Sequence, residues 1–261
     1  MADENMTSDL LVQNEIDTSK ERSSDSNEVQ SLVINSFINN GSFEGNYQGW
    51  RTIGDTSIET KDIGITPTDG EFQALITNGF SDAGGSVEES DLSQFLDLPS
   101  GSLDALLDGD ATEGSGIKQT FNAEAGDILE FDFTFLTNEG TPSNNFNDSA
   151  FFSVGGFTQE LADTFDSTFS NQSVDGFSEA TETQSKKILI QEAGTYELGF
   201  GVVDLSDTVV DSGILIDDVS LTSTGVGPFS IDSLTVEGTD SPDVDFVLGA
   251  NGLEAFSSSP Q

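Results

Sequence analysis

A run of seven residues, Leu129-Glu130-Phe131-Asp132-Phe133-Thr134-Phe135, alternates large apolar with polar side chains and most constrains what this chain can become. Successive side chains of an extended strand point to opposite faces, so Leu129, Phe131, Phe133 and Phe135 share one face. Shorter runs of the same kind recur at Thr56–Glu59, Ala74–Thr77, Ile117–Phe121, Ala150–Val154, Lys187–Ile190, Tyr196–Val203 and Ile214–Leu221. Turn formers separate them, at Asn40-Gly41, Asp69-Gly70, Ala125-Gly126-Asp127 and Ala193-Gly194-Thr195. Many short strands at this spacing predict an all-β fold, an antiparallel sandwich. The 20 Phe supply large apolar side chains for its core.

One insert breaks the strand pattern. Asp91-Leu92-Ser93-Gln94-Phe95-Leu96 has an acidic cap and helical apolar spacing, and Pro99 stops it. Ser102–Leu107 reads as a second short helix, and both are expected to cover one end of the sandwich. Residues 1–31 are polar, Ser/Asn/Glu-rich and read as a disordered acidic arm. The sandwich is expected over 32–224. Residues 225–261 form a tail, either extra edge strands or an export or attachment segment.

Charge narrows the function. The chain has 48 Asp and Glu against 7 Lys and Arg, a formal net charge of −41. Eight of the acids lie in residues 1–30 and six in residues 225–261, so the excess is spread through the folded body. Such a chain repels nucleic acid and anionic membranes and attracts cations. It has no Cys and no His, which excludes disulfides, thiol nucleophiles and His-dependent triads. No stretch approaches the 18 or so apolar residues of a membrane span.

Four stretches together resemble a known family. They are Ile38-Asn39-Asn40-Gly41-Ser42-Phe43-Glu44 followed by Gly49-Trp50; Ala111–Phe121; Phe133–Glu139 with Asn147–Phe152; and Gly201–Thr208 running to Gly213–Val219. The set is similar to the galactose-binding-like jelly rolls of cyanobacterial surface proteins and PEP-CTERM-type exported proteins, and to carbohydrate-binding modules. The resemblance covers roughly residues 33–224 and implies a jelly roll with a short helical insert. A Pro-Glu-Pro anchor followed by an apolar span and a basic end does not occur.

Oxygen ligands are the chemistry this composition offers. Calcium takes six to eight oxygens from carboxylates, carbonyls and amides in flexible geometry. The resemblance implies a structural calcium tying the first strand to the last, with Glu44 and Asp217 at the matching positions. A second acidic set follows from the residues themselves. Asp204, Asp207 and Asp211 lie in one loop between apolar strands, and Glu139 and Asp148 flank another connection. These five either hold a second cation or line hydrated loops. Asp108-Gly109-Asp110 begins like a calcium loop, but Glu113 and Gln119 stand where an EF-hand needs Gly and Glu. Glu139 and Asp148 are also the best placed pair for glycoside hydrolysis, a weak signal among so many acids.

Rings that could stack on a sugar are few. Tyr47, Trp50 and Phe146 are the candidates, Trp50 also reading as a core residue after the first strand. The expected function is non-enzymatic: an extracellular, calcium-stabilised carbohydrate-binding or adhesion protein whose partner is a polysaccharide or another surface protein. The alternative is a matrix or surface-layer component assembling through divalent cations. Leaderless export of the type I kind, with its signal in 225–261, is the expected route, and a cytoplasmic acid-rich protein stays open.

Overall fold

The computed structural model describes residues 37–79, 85–107, 109–142, 146–165, 167–170, 174–206, 208–223, 244–250 and 252–255. The arm expected at 1–31 lies outside them, as does most of the 225–261 tail. In chain order the first strands are β1 (Arg51–Ile53), β2 (Asp55–Glu59), β3 (Gln73–Thr77) and β4 (Val87–Glu88). Helices α1 (Glu89–Phe95) and α2 (Ser102–Leu107) come next, then β5 (Ala111–Ala123), β6 (Asp127–Thr137), β7 (Ser149–Val154) and β8 (Phe157–Asp163). The rest are β9 (Phe169–Ser170), β10 (Glu179–Thr181), β11 (Gln184–Ile190), β12 (Gly194–Leu205), β13 (Ser212–Ser223), β14 (Phe246–Gly249) and β15 (Gly252–Ala255).

These strands form the two sheets of a jelly-roll sandwich. One has six strands in the order β1-β5-β12-β7-β8, with β4 also on β5. The other has nine, in the order β15-β14-β11-β6-β13-β3-β2, with β10 on β6 and β9 on β10. Alternation decides which residues meet between them. Leu129, Phe131, Phe133 and Phe135 of β6 face Ile117 and Phe121 of β5, Phe152 of β7 and Phe200 of β12 in one continuous core. The ring of Phe131 sits edge-on to Phe200 at 4.8 Å and to Phe152 at 5.3 Å. Burying rings of this size supplies most of the core's stabilisation.

Each sheet carries a smaller apolar cluster on its outward face. On the nine-stranded sheet Leu75, Leu136, Leu215 and Ala180 pack under Ile63, Ile65, Val174 and Phe177. On the six-stranded sheet, Leu92, Leu96, Leu103 and Leu107 of the insert and its connection cover Phe151 and Val203. The helices therefore lie over a sheet face and not over one end, which corrects the expected placement. Two glycines make that close approach possible. A Cβ on Gly116 would stand 2.9 Å from Leu92, and one on Gly199 would stand 2.7 Å from Leu96.

Buried Lys118 of β5 holds the insert down. Its Nζ lies 2.9 Å from both Asp97, just beyond α1, and Glu197 of β12, and 5.1 Å from the Phe95 ring centroid. That ammonium holds the Asp97 carboxyl below its ordinary range.

Candidate functional site

Two groups of carboxylates stand out, one along the seam between the first motif and β13, the other in the loops at one pole. The seam begins with a tight turn sequence. Asn40 adopts a left-handed conformation that Asn tolerates, and its side chain bonds Asn46 O at 2.6 Å, Gln48 O at 3.1 Å and the Gly45 N–H at 2.8 Å. Gly41 then lies directly on β13. Its carbonyl accepts from Val219 N at 3.1 Å, and any Cβ at this position would strike the Val219 carbonyl.

This turn aims Glu44 at the loop ahead of β3. Glu44 Oε1 accepts from Glu71 N at 2.6 Å and Phe72 N at 3.0 Å. Asp217 of β13 takes the other half of the same loop: Oδ2 accepts from Thr68 N at 2.7 Å, Thr68 Oγ1 at 3.2 Å and Asp69 N at 2.9 Å. Two carboxylates distant in sequence thus take four N–H groups of one short loop, those of residues 68, 69, 71 and 72. Burial pushes Asp217 up to about 6, against the lowering effect of hydrogen bonding by Asp69, Asp218 and Thr68. Its Oδ1 is buried and takes no hydrogen bond among the described residues. Asp132 pairs with Asp217 across the strands, and both line a cavity of about 10 Å³ with Thr68, Gln73, Thr134 and Thr183, room for about one water molecule.

An orphaned, buried carboxylate oxygen is costly unless something positive or protic meets it. A cation is one group that would meet it. In the arrangement the resemblance implies, Glu44 and Asp217 would hold calcium and backbone carbonyls would complete the oxygen shell, with main-chain N–H groups already taking Glu44 Oε1 and Asp217 Oδ2. Once bound, calcium would supply positive charge between the first motif and the last long strand.

The pole is built differently. Asp148, which enters β7, and Asp204, at the end of β12, are buried at 0% and 2% exposure. The Asn78 side-chain amide donates to both, at 3.1 Å to Asp148 Oδ2 and in a short contact to Asp204 Oδ1. Ser212 Oγ donates to Asp148 Oδ2 at 2.7 Å, and Asn78 Oδ1 accepts from Ser212 N at 2.6 Å. Burial, aided by the nearby charge of Glu139, pushes Asp148 up to about 7, the hydrogen bonds from Ser212, Asn78 and Leu205 opposing it.

The expected second cation set of Glu139, Asp148, Asp204, Asp207 and Asp211 takes a different form. Protein donors occupy oxygens of Asp148 and Asp204 that a cation would need. Among the described residues, no group of three or more acids is arranged to hold a metal ion. Asp211 lies further out, raised by burial and by Asp55, and its carbonyl accepts from Asn138 N at 3.0 Å. Asp207 lies outside the described residues. Glu139, at 9% exposure, and Asp148 are too buried to present a catalytic pair to a substrate.

The rings also sort by burial. Trp50 is a core residue and presents no face to a ligand. It is 6% exposed, stacks on Phe43 at 5.3 Å and donates from Nε1 to Asn40 O at 3.0 Å. Tyr47 is half-buried beside Phe43, and its hydroxyl donates to Ser57 O at 2.6 Å. Burial raises its phenol above the ordinary value. Both were expected as stacking rings, and their proximity to the first motif makes them packing residues instead.

Phe146 is exposed, at 40%, on the pole. Phe165, which sequence reasoning passed over, is also exposed, at 43%, and follows Thr164, whose hydroxyl reaches the Phe146 carbonyl. Their loops are bolted together. Thr164 Oγ1 donates to Phe146 O at 3.0 Å, Asn147 Nδ2 donates to Asp163 Oδ2 at 3.1 Å, and Phe165 N donates to Asp163 Oδ1 at 3.2 Å. Both rings are exposed, near amide, carboxylate and hydroxyl groups of Asn147, Asp163 and Thr164. Asn78 and Ser212 were also missed. The one visible signal was Asn78, a polar residue closing the apolar run Ala74–Thr77.

No protein-family model matches this sequence, and no characterised protein matches it in sequence. Among solved structures the fold is similar to carbohydrate-binding modules. TmCBM61, in complex with β-1,4-galactotriose, shares 14% identity over 72% of this chain and 98% of that one, at a TM-score of 0.38. TmCBM27, described for mannan recognition, shares 18% over 72% and 96%, at 0.33. The K3 cleaved adhesin domain of Lys-gingipain from Porphyromonas gingivalis shares 13% over 72% and 99%, at 0.35. At such scores the likeness carries no argument about ligand or activity, and the chain's own strands define the fold.

Proposed function

We propose that this protein is a non-catalytic carbohydrate-binding or adhesion protein that acts outside the cell and is stabilised by calcium at Glu44 and Asp217. The observation that carries the binding is the pair of exposed rings, Phe146 and Phe165, held on loops locked by Asn147, Asp163 and Thr164. Large parts of both outward sheet faces are already covered by the chain itself, which favours the pole as the contact surface. An uncharged polysaccharide suits it best, since the acidic surface repels polyanions and the rings offer faces to the apolar side of a pyranose.

Calcium would act structurally, joining the first motif to β13 and meeting the orphaned Asp217 Oδ1. The acidity of the chain also favours the alternative, a matrix component whose copies assemble through divalent ions. Affinity electrophoresis through gels containing β-glucan, galactan, mannan or alginate tests the first reading. Retardation by a neutral gel, weakened about 10-fold in affinity by Phe146→Ala, is expected, that being the scale of one stacked ring. Failure in every neutral gel, together with calcium-dependent multimers in light scattering, would replace it with the second.

A further inference from the structure

We propose that the helical insert carries a second binding site, a groove beside Asp97 that takes a neutral sugar by hydrogen bonding and not by ring stacking. The choice of a sugar rests on the carbohydrate-binding reading; the groove and its chemistry do not depend on the rings of the pole.

The groove has a volume of about 490 Å³ and is lined by Ser90, Ser93, Gln94, Asp97, Leu98 and Ser100. Sites for small ligands usually span about 300–1,000 Å³. Helical spacing builds one side of it. Ser90, Gln94 and Asp97 follow one another at intervals of four and three, so they line up along α1 and the turn that ends it. Leu92 and Leu96 are turned to the cluster over Phe151 and Val203. Leu98 N donates to Ser93 O at 2.9 Å, which folds the chain back and brings Ser100 to the same groove. Ser93 Oγ is taken by Glu89 at 2.6 Å, and Ser90, Gln94, Asp97 and Ser100 are the exposed groups.

Asp97 is set in place before any ligand arrives. Its backbone takes a left-handed conformation, φ 54°, which Asp tolerates better than most residues. Buried Lys118 holds Oδ2 at 2.9 Å, and that ammonium keeps the carboxyl below its ordinary range and so ionised. The side chain is nevertheless 74% exposed. A fixed, ionised and accessible carboxylate is a strong acceptor for hydroxyl groups, and its fixing removes part of the ordering cost of binding. Gln94 and the two exposed serines add donors as well as acceptors.

Charge decides what such a groove takes. Lys118, beside Asp97, weakens its pull on a cation. Glu89 and Asp91 of α1, with Glu197 on the far side of Lys118, disfavour an anion. A neutral ligand rich in hydroxyl groups fits both limits. Phe95 offers it no stacking platform, because that ring already carries Lys118 at 5.1 Å and the Arg51 guanidinium at 5.5 Å.

The test is NMR of the full chain titrated separately with cellotriose, mannotriose and β-1,4-galactotriose. Amide signals of residues 90–100 are expected to shift and saturate with at least one of them, at a dissociation constant of about 1 mM. Asp97→Asn, which keeps the shape and removes the charge, is expected to weaken that binding about 10-fold while the melting temperature changes little. Unchanged affinity in the variant overturns the proposal. If the variant does not fold, Gln94→Ala, at an exposed position, decides by the same measurement. A loss of about 5-fold is then expected, and no loss overturns the proposal. So do shifts at 90–100 that never saturate or that glycerol reproduces, and so do shifts produced by calcium chloride and not by sugar. Shifts confined to residues 146–165 overturn the groove and leave the pole as the binding surface. Saturating shifts at 90–100 that are absent from 146–165 and indifferent to Phe146→Ala leave the groove standing and refute the pole.

Discussion

Along the seam, Glu44 and Asp217 accept from main-chain N–H groups of a single loop; at the pole, Asp148 and Asp204 share one side-chain amide, and Asp148 also accepts from a serine hydroxyl. Main-chain donors stay in place as long as the loop does, and they leave the seam with one oxygen unmet, Asp217 Oδ1. At the pole the donors are side chains, and burial keeps Asp148 raised to about 7 in spite of them. The seam thus keeps one carboxylate oxygen over, while the pole keeps a buried acid raised. Two acid clusters in one acidic chain can differ in chemistry because their donors differ.

Removing the acceptor at the seam should have the largest effect. Asp217→Ala removes the charged acceptor of Thr68 N, Thr68 Oγ1 and Asp69 N at once, and about 3 kcal/mol of lost stability is expected in urea unfolding. A loss below about 1 kcal/mol would mean that the loop does not need its clamp. Calcium should come next. At a concentration 100 times its dissociation constant, a native-state site adds about 2.7 kcal/mol. The melting temperature should rise in calcium relative to chelator, and an Asp217→Asn variant should lose that rise.

At the pole, Asn78→Ala should cost about 2 kcal/mol, because it removes the donor common to both acids and the acceptor of Ser212 N. The cost should grow from pH 5 to pH 8, whereas a merely steric defect would cost the same at both. The native chain has its own pH dependence, with a definite sign. Asp217 and Asp148 are raised to about 6 and about 7, above an unfolded value of about 4. Folding therefore takes up protons between those values. Stability should be highest below about pH 4 as far as these two groups go, fall as pH rises to about 7, and then level off. Denaturant midpoints across that range check it. The smallest effect should follow Asp97→Asn, whose side chain is 74% exposed. Its pairing with Lys118 should be worth no more than about 0.5 kcal/mol, and a larger cost would make the insert's attachment electrostatic and not apolar.

Much of the fold was legible because alternation is a local signal. Leu129, Phe131, Phe133 and Phe135 share one face in any extended strand, and all four lie in the core. The seven other runs read as strands are strands, all of them starting earlier in the structure and three also ending later. β8 was missed, since Phe157–Asp163 begins with exposed residues and alternates weakly. The helices were recognised from Leu92 and Leu96 at helical spacing, but where they lie depended on Gly116 and Gly199, which no helix-directed reading would connect with them.

The site was legible as an inventory and not as an arrangement. Motif resemblance singled out Glu44 and Asp217, yet nothing local ties either to the 68–72 loop. Asp148 and Asp204 stood out only as acids among many, while Asn78 and Ser212, which give them their chemistry, looked ordinary. Phe146 and Trp50 were equivalent rings until burial separated them.

The amino-acid sequence by itself determined the period of the strands, the sign and spread of the charge, and the absence of thiol and imidazole chemistry. Each of these is a property of neighbours in the chain or of simple composition. The tertiary structure alone decided which acids are dry, which donors they share and which oxygen is left over. Hydrogen bonding and desolvation depend on groups brought within about 3 Å by folding, and residues up to 149 positions apart meet here.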